Sequence, residues 1–270
     1  MSVQTGTVRT DRFSMDYCKF GSGDGTLVVL PGLSVQSVMP LADAIANAFR
    51  LVTDDFTVYV FDRRKGELPG TYRVRDMAED TAEAMGELGI KDADIFGPSQ
   101  GGMMAMEIAI GHPELVHKLV IGSSSAAISD DGFKIFDEWI TLAKEGRAAD
   151  LYLAFGKALY PEEVYESMKE AYTEAAKTVT DAELKRFIIM AESMRGFDIM
   201  AGLNKITCPV LVIGSKADRV FGGEASEKIR EGLKNSPDAE LYMYDGYGHA
   251  VYDLAPDYPE RMLNFFKKKG

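Results

Sequence analysis

The run Ala93-Asp94-Ile95-Phe96-Gly97-Pro98-Ser99-Gln100-Gly101-Gly102 decides the fold. Its first part is an apolar strand candidate and Gly102 to Ile110 has helical spacing, so Gly97 to Gly101 is a strand-to-helix turn of the form G-x-S-x-G. A serine at such a turn takes a strained backbone conformation. Residues two positions away must then be small to clear the adjacent strands, as Gly97 and Gly101 are. The helix that follows aims its unpaired N-terminal amides at the reaction centre, where they stabilise developing negative charge. Pro98 falls at the strand end, where a missing N–H costs little, and it biases Gly97 toward an extended backbone.

Outward from this turn the chain alternates buried strands with helices. Val8 to Phe20 alternates as strands do, and Gly21 to Gly25 is a turn before Thr26-Leu27-Val28-Val29-Leu30. Phe56 to Phe61, Leu119 to Gly122 and Val210 to Gly214 are further strand candidates, with helical stretches at Met39 to Leu51 and Val74 to Leu88. Continuous apolar strands need a cover on both faces, so the fold class is α/β, a doubly wound parallel sheet. The rhythm stops after Ser123-Ser124-Ser125. Asp130 to Asn204 is helical throughout and reads as an inserted cap, giving a core of residues 1–128 and 205–270 around a lid of 129–204. Of the cap's many aromatics and methionines, Trp139, Phe155 and Met194 are candidates to line a substrate pocket, beside the packing role such residues usually have.

A serine hydroxyl needs a base, and the chain has three histidines. His112 and His117 flank Pro113 to Val116 at a helix end and read as structural or solvent-facing. His249 stands in the glycine-flanked loop Asp245-Gly246-Tyr247-Gly248-His249-Ala250, after strand-like Ala239 to Tyr244, where a base aimed at the serine belongs. The imidazole in turn needs a carboxylate. Asp218, in the loop after Val210 to Gly214, emerges at the carboxyl end of a strand on the same sheet edge as Ser99; Asp245 and Asp253 are the alternatives. Two N–H donors for an oxyanion come from Gln100, after the nucleophile, and from Leu33 in Pro31-Gly32-Leu33-Ser34, with Gly32 letting a substrate oxygen approach the backbone. Gly32 and Ser34 are also substrate-contact candidates, and Gln36 and Ser37 are secondary ones.

Taken together, Leu30-Pro31-Gly32, the Ser99 turn, Asp218 and Gly248-His249 resemble the α/β-hydrolase superfamily over nearly the whole chain. The resemblance implies an eight-stranded, mostly parallel sheet, a helical cap after the sixth strand, and catalysis without a metal or organic cofactor. Pro31 stands where many relatives have histidine, and the H-G-G-G of many lipases is absent, which speaks against that branch. Asp62-Arg63-Arg64-Lys65-Gly66 is similar to the family's D-x-R-G segment with one more basic residue, and Asp62 and Arg63 read as ion-pair partners.

At 270 residues and 46% hydrophobic content the chain fills one core with a modest insertion. The net charge of -12 repels nucleic acid and anionic membrane surfaces, leaving a small-molecule substrate as the expected partner. Apolar runs are far shorter than a membrane span, Met1 to Lys19 has no secretory pattern, and Cys18 and Cys208 form no metal motif, so a cytoplasmic setting is expected. The expected activity is cleavage of an ester, lactone or thioester of a small, partly apolar compound. The same triad also serves cofactor-free lyases, haloperoxidase-like enzymes and carbon–carbon bond hydrolases, and the pocket alone would serve a binding protein. Oligomeric state is left open.

Overall fold

The computed structural model describes residues 2–268. The chain opens with β1 (Gln4–Arg9), β2 (Ser14–Phe20) and β3 (Gly25–Val29). Then come α1 (Ala42–Ala48), β4 (Phe56–Arg64), α2 (Val74–Glu87), β5 (Ala93–Pro98), α3 (Gln100–Gly111) and β6 (Val116–Gly122). Four helices follow without a strand: α4 (Asp130–Lys144), α5 (Ala148–Leu159), α6 (Glu162–Ala176) and α7 (Asp181–Glu192). The chain closes with β7 (Val210–Ser215), α8 (Glu224–Gly232), β8 (Ala239–Tyr244), α9 (Val251–Leu254) and α10 (Tyr258–Phe266).

The eight strands form one sheet in the order β1-β2-β4-β3-β5-β6-β7-β8. β2 is antiparallel to both neighbours, and every other pairing is parallel. The expected sheet is therefore present. The continuous apolar runs of β5 and β7 are buried along their whole length, as strands covered on both faces must be. One difference concerns Met39 to Leu51, which is not one helix but two 3₁₀ turns around the seven-residue α1. Pro40 explains the break at its start, since proline suits only a helix's first turn.

Local chemistry accounts for the helical insertion between β6 and β7. Ser129 caps α4 by accepting from the Gly132 amide, and α7 begins with a reciprocal capping box between Thr180 and Glu183. Phe133, Phe136, Ile140 and Ala143 form the buried stripe of α4 at helical spacing, and Leu184, Phe187 and Ala191 do the same on α7. These stripes join the core cluster that also takes in Leu30, Ile95 and Met103 from the sheet side, which seats the insertion above the carboxyl ends of the strands.

Candidate active site

Ser99 sits between β5 and α3 with φ 54° and ψ −126°, a conformation that costs a non-glycine residue about 1–3 kcal/mol. Its amide donates to the Gly122 carbonyl on β6 (2.8 Å), and its carbonyl accepts from the Ser124 hydroxyl (2.7 Å). The two glycines of the motif are required by space. A β-carbon at residue 97 would fall 2.4 Å from the Gly101 oxygen, and one at residue 101 would fall 1.8 Å from the Leu30 oxygen. The turn is thus wedged against the end of β3, and this brings Pro31 to Ser34 alongside it: a β-carbon at Gly32 would lie 3.8 Å from Ser99 Oγ.

Asp218 follows β7 and His249 follows β8, so both leave the sheet at the edge where Ser99 leaves β5. His249 Nδ1 donates to Asp218 Oδ2 at 2.9 Å, with both side chains almost fully buried. The other carboxylate oxygen accepts from the Val220 (2.7 Å) and Phe221 (3.2 Å) amides, so the loop after β7 holds the acid with three donors in all. Phe221 packs edge-on to the imidazole, with ring centroids 5.3 Å apart. Left-handed backbone at Tyr247 and Gly248 turns the loop so that the Ala250 amide reaches the Leu159 carbonyl at the end of α5. The alternative acids are engaged elsewhere: Asp245 pairs with Lys216, and Asp253 accepts from the Tyr160 hydroxyl.

Ser99 and His249 open onto one small cavity of about 20 Å³, enclosed by Gly32, Leu33 and residues of the helical insertion. Among the described residues no hydrogen bond joins the Ser99 hydroxyl to the imidazole; both side chains line that space. Trp139 and Phe155, packed with centroids 4.6 Å apart, are in the wall. Met194 is not brought to the cavity. It is buried in the core after α7, where its helix-end position turns it inward. Ser34 also points away, donating to the Gln36 carbonyl, while Gln36 and Ser37 bond to the insertion and to Asp62. Phe136, Leu159, Val220 and Tyr252 complete the wall and were not singled out in the sequence. Val220 and Tyr252 are two and three residues beyond the acid and the imidazole, a spacing that could have flagged them.

Asp62 and Arg63 are arranged differently from the ion pair expected. Asp62 accepts from the backbone amide of Arg63 (2.8 Å) and from the Ser37 hydroxyl. The buried Arg63 guanidinium turns to the carbonyls of Pro31 and Gly32 and to Gln100 Oε1, because β4 lies beside β3 and the end of β3 leaves carbonyls unpaired there. No group of three or more His, Cys, Asp or Glu side chains comes together as a metal site among the described residues. Among them, too, no helix is long and apolar enough to cross a membrane.

Residues 27–264 match the profile described as "Alpha/beta hydrolase family". The chain belongs to the alpha/beta hydrolase family. Curated relatives of this α/β hydrolase include proteins named "Putative carbamate hydrolase RutD". The one from Agrobacterium fabrum is 29% identical over 245 residues, covering 89% of this chain and 92% of the relative. That from Rhizobium rhizogenes is 28% identical, covering 91% and 94%. Among solved structures, an alpha/beta hydrolase enzyme from a Medee basin deep-sea metagenome library superposes with a TM-score of 0.86 at 23% identity, over 98% of both chains. An esterase from Exiguobacterium antarcticum gives 0.79 at 22% identity, over 97% and 99%. At these identities the structural likeness bears on the fold alone.

Proposed function

We propose that this α/β hydrolase is a serine hydrolase that cleaves an ester, lactone or thioester of a small, partly apolar compound, with Ser99 as nucleophile, His249 as base and Asp218 as the acid that orients it. The observation that carries this reading is the shared cavity. The strained Ser99 and an imidazole already bonded to a buried, triply held carboxylate face the same enclosed space. In the forward step the Ser99 oxygen attacks the substrate carbonyl carbon while His249 Nε2 takes its proton. The negative oxygen of the tetrahedral intermediate accepts from the Leu33 and Gln100 amides. Collapse expels the alcohol, which receives the proton from His249, and water then releases the acid from the acyl-enzyme by the same steps.

Segment 129–204 serves as the lid over this chemistry. Its Trp139, Phe155 and Leu159 close the site with apolar surface and exclude water, which strengthens the electrostatics within. The name carried by the curated relatives adds carbamates to the candidates, since their carbonyl is open to the same attack.

The test is turnover of a panel of short aryl esters, lactones, thioesters and carbamates by the protein and by its Ser99→Ala variant. Ser99→Ala is expected to cut kcat by about 10⁴-fold or more with the fold unchanged by circular dichroism. Retained turnover in that variant, or failure of a fluorophosphonate to label Ser99, would overturn the reading. Activity confined to cyanohydrins or vinylogous diketones in the wild-type protein would move it to lyase or carbon–carbon bond chemistry.

A further inference from the structure

Arg63 is a buried cation with no carboxylate on its guanidinium. Its Nη2 donates to the Pro31 carbonyl at 2.8 Å, to Gln100 Oε1 at 3.2 Å and, at the limit of contact, to the Gly32 carbonyl at 3.5 Å. Its Nε is buried without a partner. Leaving a guanidinium in such a place is costly, and burial pushes its pKa below the usual arginine value. A purely structural role would be filled better by an apolar side chain or by a paired ion. The carbonyls it holds are informative: Gly32 C=O and Leu33 N–H belong to one peptide group, and Gln100 carries the other amide of the proposed oxyanion site.

We infer that Arg63 is a positioning residue for the oxyanion site, clamping from behind the two peptide segments whose N–H groups hold the developing negative charge, and that Gln100 ties this clamp to the lid. This rests on the serine hydrolase reading above. The 2.8 Å bond pins the Pro31–Gly32 peptide, which leads directly into the Gly32–Leu33 peptide, and the guanidinium charge lies on the carbonyl side of that second peptide as well, so its orientation is held and its N–H becomes a better donor. Behind Gln100 the connection continues. The side-chain amide nitrogen donates to the Met190 carbonyl (2.8 Å) and the Ser193 hydroxyl (3.3 Å) at the end of α7. One buried glutamine therefore has its backbone at the nucleophile, its oxygen on Arg63 and its nitrogen on the lid. Seating of α7 and geometry of the oxyanion site are joined through it.

The test compares Arg63→Met, Arg63→Lys and Gln100→Met with the wild-type protein, using an aryl acetate, a trifluoromethyl ketone that forms a hemiketal oxyanion with the serine, and a fluorophosphonate label. Arg63→Met is expected to lower kcat about 10- to 100-fold with KM changed less than about threefold, and to weaken the ketone in proportion to kcat. Arg63→Lys should recover part of both, and Gln100→Met should cost about threefold to tenfold in kcat. If Arg63→Met does not fold, the other two variants decide. Unchanged kcat in both overturns the inference, as does a kcat loss that leaves ketone affinity untouched. Absence of label at Ser99 in the wild-type protein overturns the underlying reading as well; label with indifferent variants overturns the clamp alone.

Discussion

The sheet carries a histidine–aspartate pair at each end. At the carboxyl edge His249 Nδ1 lies 2.9 Å from Asp218; at the amino edge His117 Nδ1 lies 2.9 Å from Asp94, across the starts of β5 and β6. Distance does not separate them, but their surroundings do. His249 is 1% exposed and Asp218 is held by two backbone amides, whereas the His117 side chain is 52% exposed. The lower pair even has a thiol nearby, since Cys208 and His117 line one pocket of about 270 Å³. Burial pushes that thiol up to about 11, so little thiolate is present at neutral pH. A hydrogen-bonded imidazole is thus no site by itself. What sets the carboxyl-edge pair apart is the strained Ser99 turn that lines the same cavity as its imidazole.

The sharpest way to break the comparison is the same substitution at both ends. Asp218→Asn is expected to lower kcat by about 10⁴-fold, because the imidazole loses its tautomer and orientation. Asp94→Asn should leave kcat within about twofold. Steady-state rates on one aryl ester check both, and comparable losses at the two ends would erase the distinction.

A smaller effect separates the surroundings from the pairs themselves. The cavity at the carboxyl edge is walled by aromatics, among them Trp139, 2% exposed, edge-on to Phe136 and tilted against Phe155. Trp139→Ala is expected to cost about 3 kcal/mol of stability and to open the cavity, so that acyl preference shifts toward longer chains. Urea unfolding and a chain-length series of aryl esters read the two parts. An unchanged chain-length profile would place the acyl group away from this wall.

The two ends were unequally legible in the sequence. Ser99, His249 and Asp218 stood out because each sits in a loop whose glycines or strand-end position suits its role, and the alternation of buried strands with helices set the edge they share. The pocket wall was harder. Whether an aromatic in the insertion faces the cavity or its own core depends on how α4 and α7 seat on the sheet, which helical spacing does not encode; Trp139 and Met194 read alike and end in different places. Arg63 was hidden for a related reason. Its neighbour in sequence is a carboxylate, but its neighbours in space are the carbonyls at the end of an adjacent strand.

The lower pair should declare itself in stability rather than in turnover. Burial raises the Asp94 carboxyl from its ordinary 3.8 to about 6, with the His117 imidazole only partly offsetting that rise. Its folded pKa lies above its unfolded one, so between roughly pH 4 and 6 the folded state holds more of this proton than the unfolded state does. The contribution of Asp94 to stability is therefore fully present below about pH 4 and is lost as pH rises through about 6. Asparagine at this position titrates nowhere in that range. The stability of Asp94→Asn relative to the wild-type protein is expected to increase by about 2 kcal/mol from pH 4 to pH 7 and to stay level above that. Urea unfolding of both proteins at matched pH values across the range measures the gap. A gap that is constant, or that narrows with rising pH, would mean that the His117 charge rather than burial governs the buried acid.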